Sequence, residues 1–169
     1  LTTGDETWTS GSSFALEIDD ALGSPGVAPG WDLLEIDGQL DLQGLEAETF
    51  EVDLFSLEPG GGTTPGEAAN FSAEPGSLHE WEFVHASDGI IGFEPEDFVI
   101  DASGFLNSIA NVYGVGEFSV VAPSNNSLAI QFTSAVPEPS GLVLAALALL
   151  GVALGGRRRK RSVTPGVAS

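Results

Sequence analysis

An all-β body followed by one apolar helix at the carboxyl end is the fold class this sequence predicts, and three observations predict it. Apolar and polar residues alternate with a period of two in segment after segment before residue 136. Gly, Pro, Ser and Asn cluster between those segments, and nothing before Pro137 sustains a helical stripe for more than about two turns. Finally, Pro139 to Gly156 form an uncharged run that stops at five consecutive cations.

The first alternating segment sets Phe14, Leu16 and Ile18 against Ala15, Glu17 and Asp19. Next, Leu34, Ile36, Leu40 and Leu42 keep one parity across Gly38, and Phe50, Val52 and Leu54 alternate with Glu51 and Asp53. Farther on, Trp81 and Phe83 alternate with Glu80 and Glu82, Phe118 and Val120 follow Glu117, and Leu128, Ile130 and Phe132 are spaced by Ala129 and Gln131. Successive side chains of a strand point to opposite faces, so each segment reads as a half-buried strand with its carboxylates on the wet side. Turn clusters are expected at Gly23–Gly30, at Glu58–Gly66, where Gly60, Gly61 and Gly62 run together, and at Pro123–Asn126. Short strands at this spacing build either the end of a parallel β-helix, a solenoid, or a β-sandwich, and alternation alone leaves both open.

In the apolar run, Leu142, Val143, Leu144, Leu147, Leu149, Leu150, Val152 and Leu154 fall on every face of a helix, which leaves no side for water. At about 1.5 Å per residue the run reaches roughly 27 Å, close to the roughly 30 Å hydrocarbon core of a bilayer. Pro137 and Pro139 cannot sit inside a helix and Ser140 supplies an N-cap, which predicts a transmembrane helix over 140–156; Gly155 and Gly156 suit its end. Placing one Arg or Lys at the bilayer centre costs roughly 2.5–3.5 kcal/mol, so Arg157, Arg158, Arg159, Lys160 and Arg161 act as a stop and stay cytoplasmic. Residues 162–169 then form a cytoplasmic tail, and the body, 1–135, is expected outside the cytoplasm. A signal peptide has the opposite order, cations before the apolar run, at the amino end.

Val136-Pro137-Glu138-Pro139-Ser140, the apolar helix and the basic cluster, in that order and spacing, resemble the PEP-CTERM sorting signal of bacterial exported proteins. The resemblance covers residues 136–161. It implies that Pro137, Glu138 and Pro139 are recognised by exosortase, a membrane-embedded peptidase of the cysteine-peptidase type, which cuts at or near the motif and releases or re-attaches the body. It further implies that Arg157–Arg161 form a retention cluster. The chain is then held in the bacterial inner membrane by one carboxyl-terminal span before processing, and its body ends in the cell envelope or extracellular matrix.

A second resemblance concerns the body. Gly30-Trp31-Asp32-Leu33-Leu34 with Ile36-Asp37-Gly38-Gln39-Leu40-Asp41-Leu42, then Phe98-Val99-Ile100-Asp101 and the closing Leu128 to Thr133, is similar to the carboxyl ends of bacterial surface proteins built from autotransporter-associated β-strand repeats. Those bodies are parallel β-helices. The chain opens at Leu1 and contains no Met, so it is expected to be the end of a longer product whose export signal lies upstream.

All 25 acidic residues precede Arg157 and all five basic residues lie at 157–161, so the chain carries −25 before the cluster and +5 within it. A surface this acidic repels a phosphate backbone, which excludes nucleic acid as a partner; its plain meaning is solubility and self-repulsion. With no cysteine, disulfides, thiol catalysis and thiolate metal sites are excluded together. Stability must come from a packed core.

No reaction is written in the remaining residues. His79 and His85, six apart on one acidic strand, read as surface histidines and not as metal ligands. No Gly-x-Ser-x-Gly elbow is present, and Gly60-Gly61-Gly62-Thr63 lacks the lysine of a phosphate loop. Asp32, Glu35 and Asp37, or Asp88, Glu94, Glu96 and Asp97, offer hard oxygens to Ca²⁺, but neither set follows an EF-hand order, and a solvated acidic edge is the preferred reading. No catalytic residue, metal site or cofactor is therefore expected.

The function expected is that of a non-enzymatic exported protein of the envelope or extracellular matrix, structural or adhesive in its body. Its expected partners are an exosortase-type membrane peptidase, the lipid bilayer and extracellular polysaccharide. One alternative is a glycan-binding or carbohydrate-active module on a β-solenoid, with Trp8, Trp31 and Trp81 as stacking platforms, although burial in the core is the default for each. The other is a permanently membrane-anchored surface protein that is never cut.

Overall fold

A computed structural model of the chain describes residues 1–60 and 62–136. Within them the regular structure is β, apart from one turn of 3-10 helix at Pro95–Asp97. Leu1–Ala135 form one compact unit. The predicted transmembrane helix over 140–156 lies outside the described residues; among the described residues no helix is long and apolar enough to cross a membrane.

The chain passes three times through the same series of sheets. The first pass contributes β1 (Thr2–Thr3), β2 (Glu6–Thr7) and β3 (Ser13–Ile18). An excursion through β4 (Ser24–Pro25) and β5 (Gly30–Trp31) leads to the second pass, β6 (Leu34–Ile36), β7 (Leu40–Asp41) and β8 (Phe50–Ser56). The third contributes β9 (Leu78–Ala86), β10 (Ile90–Ile91) and β11 (Phe98–Gly104). β6 lies parallel between β1 and β9, β7 between β2 and β10, and β8 between β3 and β11. Equivalent strands of successive passes stack in register, Phe14 beside Val52 and Val52 beside Ile100. This is the winding of a parallel β-solenoid.

A corner at Gly38 joins β6 to β7. Its φ of +155° and the approach of Asp5, whose carboxylate would meet any Cβ at residue 38, both call for glycine. Asp5, from the pass below, accepts the Gln39 backbone N–H at 2.9 Å and fixes the corner. Leu34, Ile36, Leu40 and Leu42 are all buried on either side of it, so their shared parity marks one interior seen from two sheets.

One aromatic from each pass fills part of that interior: Trp8 stacks on Phe50 at 4.3 Å, and Phe50 meets Phe98 edge-on at 5.6 Å. A second cluster surrounds Trp81, which is fully buried against Phe71, Phe105 and Phe118 and donates its indole N–H to the Ala21 carbonyl at 3.1 Å.

Two hairpins follow the third pass. The short one pairs β12 (Ala110–Asn111) with β13 (Gly114–Val115), and the long one pairs β14 (Glu117–Ser124) with β15 (Ser127–Thr133). β15 also pairs antiparallel with β9, occupying the edge on which a fourth pass would have stacked. Pro123 and Ser124, expected in a turn, belong to β14, and the turn is confined to Asn125-Asn126.

The reading of both histidines as surface residues is corrected for His79. It shares the inward parity of Trp81 and Phe83, is buried, stacks 5.0 Å from Phe71 and 5.5 Å from Trp81, and bonds the backbone of Ser72 through Nε2. A bulge at Phe83 then shifts the register, since Ala129 faces Glu82 while Leu128 faces Val84. Parity reverses there, Phe83 and Val84 are both buried, and His85 turns outward.

Candidate functional site

Pro137, Glu138 and Pro139, with Arg157, Arg158, Arg159, Lys160 and Arg161, lie outside the described residues. The structure fixes the segment that delivers them. Ser134, buried after the end of β15, donates its backbone N–H to the Ser77 carbonyl at 3.1 Å. The Asn111 side-chain amide donates to the Ala135 carbonyl at 2.9 Å and to the Ala73 carbonyl at 2.7 Å, while its oxygen accepts the Tyr113 N–H at 2.8 Å. Asn111 thus clamps three chain segments together at the body's carboxyl exit. The next residue, Val136, is exposed. Sequence reading missed Asn111: Asn111-Val112-Tyr113-Gly114 signals a turn, but nothing in it tells that the amide reaches residues 73 and 135.

The acids considered for Ca²⁺ do not come together. Asp32 accepts the Glu17 backbone N–H at 3.2 Å, Glu35 accepts the Thr2 hydroxyl at 3.5 Å, and Asp97 is buried in the 3-10 turn. Instead, Glu51, Asp53 and Asp101 bring carboxylate oxygens within 4.8 Å of one another on the outer surface of β8 and β11. The register causes this, because Asp53 and Asp101 are direct neighbours across the parallel pair and Glu51 lies two residues earlier on the same face. Asp101 is held below its ordinary carboxylate range by hydrogen bonds from the Ser103 backbone N–H, at 2.8 Å, and from the Ser103 hydroxyl. Exposed carboxylates of this kind bind monovalent and divalent cations mainly by screening. Millimolar Ca²⁺ is accordingly expected to raise the melting temperature no more than Na⁺ at equal ionic strength; a Ca²⁺-specific rise that Asp53→Asn abolishes would reveal a built site.

Among the described residues, Ser127, His85 and Glu82 bring a hydroxyl, an imidazole and a carboxylate together. Ser127 and His85 are cross-strand partners, yet each contacts Glu82 Oε1, the serine hydroxyl by donation and His85 Nδ1 at 3.2 Å. The serine proton points at the carboxylate and not at the imidazole, so the relay that activates a serine hydroxyl is missing. Trp8 and Trp81 are core residues, and Trp31, partly buried, spends its indole N–H on the Glu82 carbonyl at 2.8 Å.

No curated protein and no solved structure matches the chain. Residues 135–160 match the PEP-CTERM protein-sorting motif, and the match begins at the residue that Asn111 clamps. The chain therefore carries, directly after its β body, a segment that matches a protein-sorting motif.

Proposed function

We propose that the chain is a non-enzymatic structural or adhesive protein of the cell envelope or extracellular matrix. Its body is exported, held in the bacterial inner membrane by the single span 140–156, and then cut by exosortase near Pro137-Glu138-Pro139. The observation that carries this is the sorting motif at 135–160, set next to a body that ends at a side-chain clamp on Ala135. A peptidase must bind an extended, accessible segment, and Val136 is the first residue of the motif to stand in solvent. The parallel winding supports a scaffold role, because stacked passes present continuous sheet faces without requiring a pocket. The acidic exterior suits a hydrated matrix, and extracellular polysaccharide is the partner proposed there.

Expression in paired hosts, with and without exosortase, tests the reading. The intact chain is expected to lose the segment after the cut, by mass spectrometry, only where exosortase is present. Persistence of the full-length chain in both hosts would favour the permanently anchored surface protein, and trimming in both would assign the cut to a general protease.

A further inference from the structure

The acidic charge is distributed unevenly. Of the 25 acidic residues, all but Glu117 and Glu138 lie within Leu1–Asp101, so Ala102–Pro137 contains a single charged side chain. That stretch forms the two terminal hairpins, and it exposes Leu106, Val112, Tyr113 and Val115, with Val112 at 86 % the most exposed of the four. The short hairpin is tied to the exit by Asn111, and a Cβ at Gly114 would lie 3.5 Å from that of Ala135. An uncharged apolar tip therefore stands beside the residue at which the body passes into the sorting motif.

We infer that hairpin β12–β13 is a membrane-contact loop whose tip, Val112 and Tyr113, rests in the headgroup region of the outer leaflet. The inference depends on the proposed reading that 140–156 spans the bilayer. Five residues, 136–140, separate Ala135 from the apolar run, and at no more than about 3.5 Å each they reach less than about 20 Å. A spanning helix thus keeps the hairpin near the interface. Most carboxylates of Leu1–Asp101 are repelled by anionic lipid, whereas the hairpin itself carries no charge and has Glu74, which lines the same hollow as Val112 and Tyr113, as an acid beside its tip. Valine enters the acyl boundary, and tyrosine keeps its ring apolar and its hydroxyl wet, as interfacial aromatics do. Two side chains bind lipid weakly on their own. The tether raises their effective concentration, so the contact orients a body already held.

Single-cysteine variants of the full chain test this cleanly, since it contains no cysteine. Val112→Cys, Val27→Cys and Leu147→Cys are each labelled with an environment-sensitive fluorophore and reconstituted into phosphatidylcholine–phosphatidylglycerol vesicles. Val27 is a control, 63 % exposed on the excursion beside the first pass. A lipid-borne quencher is expected to dim the probes at 112 and 147 but not at 27, and iodide to quench position 112 roughly threefold less than position 27. Adding Tyr113→Asp should return position 112 to the iodide access of position 27, with the melting temperature unchanged. If 147 is dimmed by lipid while 112 is as open to iodide as 27, the loop does not touch the membrane and the spanning reading stands. If neither 112 nor 147 is dimmed, both readings fall. Protection of 112 that appears only when exosortase is co-reconstituted would overturn lipid as the occupant and assign the hairpin to the peptidase.

Discussion

Replacing Pro137, Glu138 and Pro139 together by alanine is expected to leave the chain full-length in the inner membrane of an exosortase-containing host in which the parent chain is trimmed. The two prolines hold the residues before them in extended conformations and supply no N–H to a helix. Alanine is the best helix former and proline disfavours a helix interior by about 3 kcal/mol per residue, so on the proposed reading the triple change favours a helix starting upstream of residue 140 over the extended segment a peptidase needs. Losing Glu138 also removes the one charge that resists sinking toward lipid. Insertion should persist, because the run and its five cations are intact. The body's melting temperature should also persist, because Ser134 and Ala135 are held by Ser77 and Asn111, which the change leaves in place. Deleting Arg157–Arg161 should differ in kind, with the stop lost and unprocessed chain found beyond the inner membrane. Trimming of the triple variant at the parent rate would remove the motif from the mechanism.

Trp81→Ala is expected to cost about 3–5 kcal/mol, the largest effect on stability of any single truncation in the body. Trp81 has no exposed surface, and its ring contacts Phe71, Phe105 and Phe118, so the cavity is walled by rings that belong to three different segments. The Ala21 carbonyl loses its indole donor as well. Against the roughly 5–15 kcal/mol that holds a domain folded, such a loss takes a large share, and the melting temperature should fall by about 10 °C or more. Urea titration reads the change as a lower midpoint at an unchanged slope. Trp81→Phe, which keeps most of the volume, should lose clearly less, and Leu78→Ala on the same strand, where the side chain is 60 % exposed, should stay within about 0.5 kcal/mol. Equal losses at positions 78 and 81 would contradict the inward parity of β9.

The long strands were legible because each has enough residues for a period of two to register, as at Phe50, Val52 and Leu54. Alternation left the coiling open between a solenoid and a sandwich. Ser13 pairs with Glu51, 38 residues on, and Glu51 with Val99, 48 residues on, so unequal excursions erase any fixed repeat. β2, β7 and β10 have two residues each, too few to show alternation. His79 was readable from its parity with Trp81; the surface reading of His85 holds, but through a bulge at Phe83 that depends on how β15 pairs. The Glu51, Asp53 and Asp101 cluster depends likewise on register between strands far apart in sequence. The sorting segment was the most legible of all, since its order of proline, apolar run and cations is written contiguously and needs no folding to be seen.

The place of β15 within its sheet has a mechanical consequence. If the body is held through its carboxyl end, as proposed, tension enters at Ala135 and passes first into β15. An edge strand under such load peels away one hydrogen bond at a time. β15 is bonded along both sides, to β14 and to β9, and the Asn111 clamp braces the point of entry. Rupture under such a load would therefore open two ladders together, at the last strand among the described residues.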